Sequence, residues 1–211
     1  MLALLPAGAL AVLDWLGLAL HRRPWDYVCK PAVVVALLAG VGIQLGWPAQ
    51  GPARFFLPAL VLCLLGDVFL LWAKGFLAGL TSFLGAHVCF ILGLVQPWQG
   101  AWPLGLLGAG VWGLFLGLLL RGFRGPRAWV GPVAVYSLAL AGLLIASWNA
   151  ALQPQMPWAS RALAAGGGTL FFASDTLLGL SQFVRPWRGA RLEVRVLYHL
   201  ALLALAGWLL L

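Results

Sequence analysis

Eight stretches of mostly apolar residues, each close to the length that crosses a bilayer, follow one another with almost nothing between them. Bounded by Pro, Gly and Arg, they run near residues 2–20, 29–47, 54–73, 76–95, 102–120, 128–148, 160–184 and 194–211. About 20 such residues cover the hydrocarbon core as a helix. Connections such as Gly46-Trp47-Pro48, Gln96-Pro97-Trp98 and Gln153-Pro154-Gln155-Met156-Pro157 are too short to hold a folded extramembrane part. Lipid offers no partner to a backbone N–H or C=O, so a segment of this length crosses as a helix. The expectation is an all-α fold: a polytopic transmembrane helix bundle of about eight spans, forming a single transmembrane domain over residues 1–211.

Composition agrees. Hydrophobic residues make up 63% of the 211 and charged residues only 9%, where soluble domains carry about 25%. The net charge of +8 does not point to nucleic acid, because the basic residues lie in short loops and not on one continuous face. The turns after the first, third, fifth and seventh spans carry Arg22, Arg23, Lys74, Arg121, Arg124, Arg127, Arg185, Arg188 and Arg191, with Lys30 and Arg195 at adjoining helix ends; the other side has Arg54 and Arg161. Lys and Arg in short loops stay on the cytoplasmic side, so both termini are expected to be non-cytoplasmic. The apolar start, Met1 to Leu20, has its positive charges after it, which fits a first span better than a cleaved leader. Cys29, Cys63 and Cys89 show neither CxxC nor zinc-ribbon spacing, so no disulfide is expected. Gly113 with Gly117, and Gly166-Gly167-Gly168, have the small-residue character of helices packed closely inside a bundle.

Against this background two carboxyls stand out. Asp67 lies in Leu64-Leu65-Gly66-Asp67-Val68-Phe69, and Asp175 in Phe171-Phe172-Ala173-Ser174-Asp175-Thr176-Leu177. An ionisable group at a helix centre costs about 2.5–3.5 kcal/mol or more, so it persists where it is paired, solvated in a cavity, or used. At 1.5 Å per residue from the arginine-rich side, Asp67 lies about 9 Å deep, His87 about 16 Å, Tyr136 about 12 Å and Asp175 about 14 Å. Tyr198 and His199 fall in the first turns of the last span, and Lys30 at the mouth of the second. All seven lie between that surface and the bilayer middle, as one shared cavity opening toward the cytoplasm requires. Asp14, Arg22, Arg23 and Asp26 read as helix-end polarity, and no phosphate-binding arginine is evident inside the spans. Two buried carboxyls beside imidazole and phenol groups suit acid-base chemistry, one donating a proton while the other activates water.

The ordered motifs Cys29-Lys30-Pro31, Leu65-Gly66-Asp67-Val68-Phe69, Gly85-Ala86-His87-Val88-Cys89, Pro132-Val133-Ala134-Val135-Tyr136 and Ala173-Ser174-Asp175-Thr176 resemble the YhhN-type lysoplasmalogenase family over nearly the whole chain. The resemblance implies an eight-helix membrane hydrolase that cleaves the vinyl-ether bond of lysoplasmalogens to a fatty aldehyde and a glycerophospho-base. It implies Asp67 and Asp175 as the catalytic pair. Lys30, His87, Tyr136, Tyr198, His199 and Ser174 are the candidate supporting or substrate-binding residues, with Lys30 facing the lipid phosphate. One position departs from the pattern: the family's last span reads Tyr-x-x-Gln, whereas Tyr198-His199-Leu200-Ala201 has alanine there, with His199 the neighbouring polar group.

No metal or cofactor is expected, and the partners are a lysophospholipid substrate and membrane lipids, not nucleic acid. Two alternatives use the same residues. A zinc-dependent lipid hydrolase of ceramidase type would take His87, His199, Asp67 and Asp175 as ligands, without HxxxH spacing to support it. A proton-coupled transporter would use the intramembrane Asp and His groups as a relay. The richness in Leu, Ala, Gly, Arg and Trp is that of a GC-rich bacterial genome, which places the chain in a bacterial inner membrane.

Overall fold

The computed structural model describes residues 2–46, 49–95 and 102–211. Trp47-Pro48, Gln96-Pro97-Trp98 and Met1, and the side chains of Arg23 and Asp26, lie outside the described residues. Eight α-helices are described: α1 (Leu5–Ala19), α2 (Arg23–Leu45), α3 (Ala53–Phe69), α4 (Phe76–Leu94), α5 (Trp102–Gly122), α6 (Val130–Ala151), α7 (Trp158–Phe183) and α8 (Ala190–Leu209). No strand occurs among the described residues.

Three helices, α2, α5 and α8, outrun the apolar stretches at the arginine-rich side, while α3 stops at Phe69, short of the expected residue 73. The second span was expected from residue 29, yet α2 begins at Arg23; the eighth was expected from 194, yet α8 begins at Ala190 and takes in Arg191, Glu193 and Arg195. Backbone hydrogen bonding does not stop at the hydrocarbon boundary, and Pro24 near the start of α2 suits a first helical turn. Seven of the helical segments are long and apolar enough to cross a membrane. The eighth, α3, has 17 residues, about 25 Å of helix against a core of about 30 Å.

Neighbours in sequence are neighbours in space: α7 lies against α8, α3 against α4, α6 against α7 and α1 against α2, while α1 and α2 also reach α8. The helix α5 rests on α6, touches α7 lightly, and is the outermost. Phe56, Phe90 and Phe171 fill the centre with Leu37, Leu60, Leu202 and Leu205, all buried. Two glycines set how closely α7 is approached. A Cβ on Gly168 would fall on the Ser147 side chain of α6, and one on Gly167 would come within 2.8 Å of Leu205 of α8. The α5 pair differs from expectation: Cβ atoms at Gly113 and Gly117 meet nothing within 4 Å, because these positions face outward and not into the bundle.

Candidate active site

At the end of the bundle where the arginine-bearing turns lie, a cavity of about 450 Å³ opens between α2, α3, α7 and α8, with α4 adding Phe76 and Phe83. The helical walls are stripes: Tyr27 and Lys30 on α2, Asp67 on α3 with Leu70 and Leu71 in the turn just after it, Ser174, Asp175, Leu178 and Gln182 on α7, and Arg191, Arg195 and Tyr198 on α8. Spacings of three and four residues keep each set on one face.

The two aspartates are held differently. On α3, the fully buried Asp67 has Lys30 Nζ 3.1 Å from Oδ1, and the Tyr198 hydroxyl donates to Oδ2 at 3.0 Å. Its neighbours are thus an ammonium and a phenol. On α7, Asp175 accepts a short hydrogen bond from the Tyr136 hydroxyl at Oδ2, and His87 Nε2 stands 3.4 Å from the same oxygen. The imidazole of His87 is packed edge-on against Tyr136 and Phe171, with ring centroids 5.1 Å and 4.8 Å away. Tyr198 is braced in turn by Phe83 and Phe171, each at 5.7 Å. Aromatic edges of this kind fix the orientation of a polar ring in an apolar interior.

Lys30, Asp67, Ser174, Asp175 and Tyr198 therefore line one cavity, while His87 and Tyr136 stand behind Asp175 and are buried. Ser174 also donates its hydroxyl to the Val194 carbonyl at 3.0 Å, tying α7 to α8. His199 is elsewhere. Its Nδ1 accepts from Trp15 Nε1 at 3.2 Å and lies 3.9 Å from Asp14 Oδ2, so it belongs to the contact between α8 and α1. One residue of separation from Tyr198 turns a side chain by about 100° around the helix, and the expected place of His199 beside the aspartates is corrected accordingly. Ala201, where the family pattern has glutamine, is buried in the core, about 200° around α8 from His199.

Asp14 and Arg195 are the residues that the sequence reading passed over. Asp14 is buried in α1, and Arg195 Nη1 donates to both its oxygens, at 3.0 Å and 2.9 Å. Arg195 also borders the cavity, as does Arg191. This corrects the expectation of no arginine suited to a phosphate within the spans. The signal was present: Arg191, Arg195 and Tyr198 recur at intervals of four and three, one face of a helix. It was hidden by placing the start of the last span too late. The depth of Asp14, well inside the first apolar stretch, was likewise a stronger indication than its distance from Arg22.

Three cations, Lys30, Arg191 and Arg195, thus border the cavity with two carboxyls, Asp67 and Asp175. Such a chamber admits an anionic group and presents two acid-base groups to it. Among the described residues no three His, Cys, Asp or Glu side chains converge as metal ligands. The ligand set of the zinc alternative is not assembled, because His199 faces α1 while His87 faces Asp175.

These features define an integral membrane protein of all-helical architecture, with a carboxyl-bearing cavity at its arginine-rich end. The YhhN family model matches residues 25–208, and the chain belongs to the YhhN family. It is 34% identical over 182 residues to lysoplasmalogenase TMEM86B of Sus scrofa, covering 82% of this chain and 69% of that protein. Human lysoplasmalogenase TMEM86B is 29% identical, with 84% and 72% covered. A lysoplasmalogenase of Mycobacterium bovis is 31% identical over 161 residues, 72% of this chain and 58% of its own length. No solved structure is significantly similar.

Proposed function

We propose that this protein is a hydrolase of the vinyl-ether bond of lysoplasmalogens, with Asp175 as the acid and Asp67 as the carboxylate that directs water. Relatives named lysoplasmalogenase support the substrate. The observation that carries the mechanism is that two aspartates on different helices border one cavity with unlike partners. Asp67 is bound to an ammonium and serves as the carboxylate. Asp175 has a phenol and an imidazole, and holds the proton.

The reaction follows from the chemistry of the bond. Asp175 transfers its proton to the alkene carbon distal to the ether oxygen, and the adjacent carbon becomes part of an oxocarbenium ion that the Asp67 carboxylate stabilises. Water adds to that carbon and gives its proton to Asp67. The hemiacetal then collapses: its hydroxyl proton returns to Asp175, the ether oxygen takes the proton from Asp67, and aldehyde and glycerophospho-base leave. Both carboxyls end as they began. Arg191 is the cation for the lipid phosphate, a role that suits the guanidinium fork, and Arg195, itself bonded to Asp14, adds positive charge at the same wall. Lys30, already engaged with Asp67, holds that carboxylate in place.

In this reading the cavity opens to the cytoplasm, both termini are non-cytoplasmic, and the membrane is a bacterial inner membrane. The bias of Lys and Arg toward one set of turns supports the orientation, and the existence of mycobacterial relatives is compatible with a bacterial source.

A coupled aldehyde assay on the purified protein tests the proposal, using lysoplasmenylethanolamine and its ester analogue. Aldehyde from the vinyl ether alone is expected from wild type, with loss in folded Asp67→Asn and Asp175→Asn. No aldehyde from well-folded wild type would sink it.

A further inference from the structure

Asp175 borders a second hollow besides the charged cavity. This smaller space, about 40 Å³, lies between α4, α5, α6 and α7 and is walled mainly by apolar groups, among them Leu80, Phe115, Leu119, Leu140 and Phe183. Phe76, Asp175 and Leu178 line both spaces and so form the partition between them. The polar groups on the α6 wall are engaged within the protein. Tyr136 donates to Asp175, while the Ser137 hydroxyl donates to the Ala134 carbonyl at 2.9 Å and accepts from Trp112 Nε1 at 3.0 Å. What remains to face the hollow is hydrocarbon.

A lysoplasmalogen has the same division. Its charged head and its alkyl chain meet at the vinyl ether, and the carbon that takes the proton is the root of the chain. The acid must therefore stand where a charged compartment and an apolar one adjoin, which is the position of Asp175. Resting on the vinyl-ether reading, we infer that the hollow is the start of the alkyl-chain subsite. The chain runs from Asp175 between Leu140 and Phe115 and leaves along α5 into lipid. A long chain exceeds the hollow, and α5 is the helix beside which it can leave, since only 11% of its span is buried and it touches α7 lightly. Apolar burial rewards a chain seated here.

Gly179 supplies the test. It borders the hollow, one helical turn from Asp175, and a Cβ there meets nothing within 4 Å. A methyl group there meets open space, and a larger side chain extends into the hollow that the ligand's chain would use. The probe is a non-cleavable alkyl-ether lysophosphatidylethanolamine with a diazirine near the root of its chain, photolysed in detergent and mapped by mass spectrometry. Labelling is expected on the walls around Phe115, Leu140 and Gly179. It is expected to fall about tenfold or more in Gly179→Leu and further in Gly179→Trp, and to persist in Leu118→Trp, which changes an exposed position on α5. With vinyl-ether substrates of graded length, the long-to-short ratio of kcat/KM should fall by a similar factor in Gly179→Leu. Wild-type label confined to other helices, or label and ratio unchanged in both Gly179 variants, overturns the subsite. Because the probe is not cleaved, its pattern decides the chain site even if wild type releases no aldehyde, an outcome that ends the hydrolase reading alone.

Discussion

Asp67 and Asp175 carry the same group and have different neighbours, and the proposed mechanism gives them different work. Replacing either by asparagine keeps the shape and removes the acid-base function, so each change is expected to lower kcat/KM by about 10²–10⁴-fold. The double variant should be little worse than the worse single one, because residues that act as a unit are not additive. Aldehyde release by the purified variants measures both, and losses that multiply would speak against a coupled pair. The pair formed by Asp14 and Arg195 makes a prediction of another kind. Arg195→Met removes the cation whose Nη1 bonds both oxygens of a buried carboxylate and should cost about 3–5 kcal/mol. Adding Asp14→Leu should restore most of that stability while leaving binding of the lipid weakened. Thermal unfolding in detergent decides the first part, and a single variant as stable as wild type refutes it.

Among the elements, α5 and α7 both carry closely spaced glycines, and only α7 uses its Gly167 and Gly168 for close approach. Gly168→Val places new atoms on Ser147 and is expected to destabilise the bundle by about 1–3 kcal/mol. Gly117→Ala on α5 meets open space and should be neutral, or stabilising by up to about 1 kcal/mol through helix propensity. Unfolding midpoints of the two variants test the contrast, and equal losses would show that α5 packs more tightly than described. Spacing alone could not separate these cases. A small residue permits a close approach, but whether another helix takes it up depends on how each helix is rotated about its axis.

At the scale of the whole molecule, the arginine-bearing turns all lie at the end that holds the cavity. Reporter fusions test the proposed orientation: alkaline phosphatase joined after Leu211 should be active, and joined within the turn before Gly189 inactive. The reverse pattern would place the cavity on the non-cytoplasmic side. Strong chelators should leave aldehyde release unchanged if, as proposed, the mechanism rests on carboxyls; loss on chelation with recovery on zinc would favour the metal alternative.

Helix number, order and the arginine-rich end were legible in the chain because they depend on the length of apolar runs and the charges between them, both local properties. So was the prominence of Asp67 and Asp175, since an acid in an apolar run is costly wherever its partner lies. Which groups meet was decided only by the tertiary structure. Tyr198 reaches Asp67 across 131 residues of chain, and Arg195 reaches Asp14 across 181. Adjacent Tyr198 and His199 look the same in sequence, yet one turns to the cavity and the other to α1. At about 100° per residue, the rotation of a packed helix selects the side chain that faces the site, and that rotation is set by the helices around it.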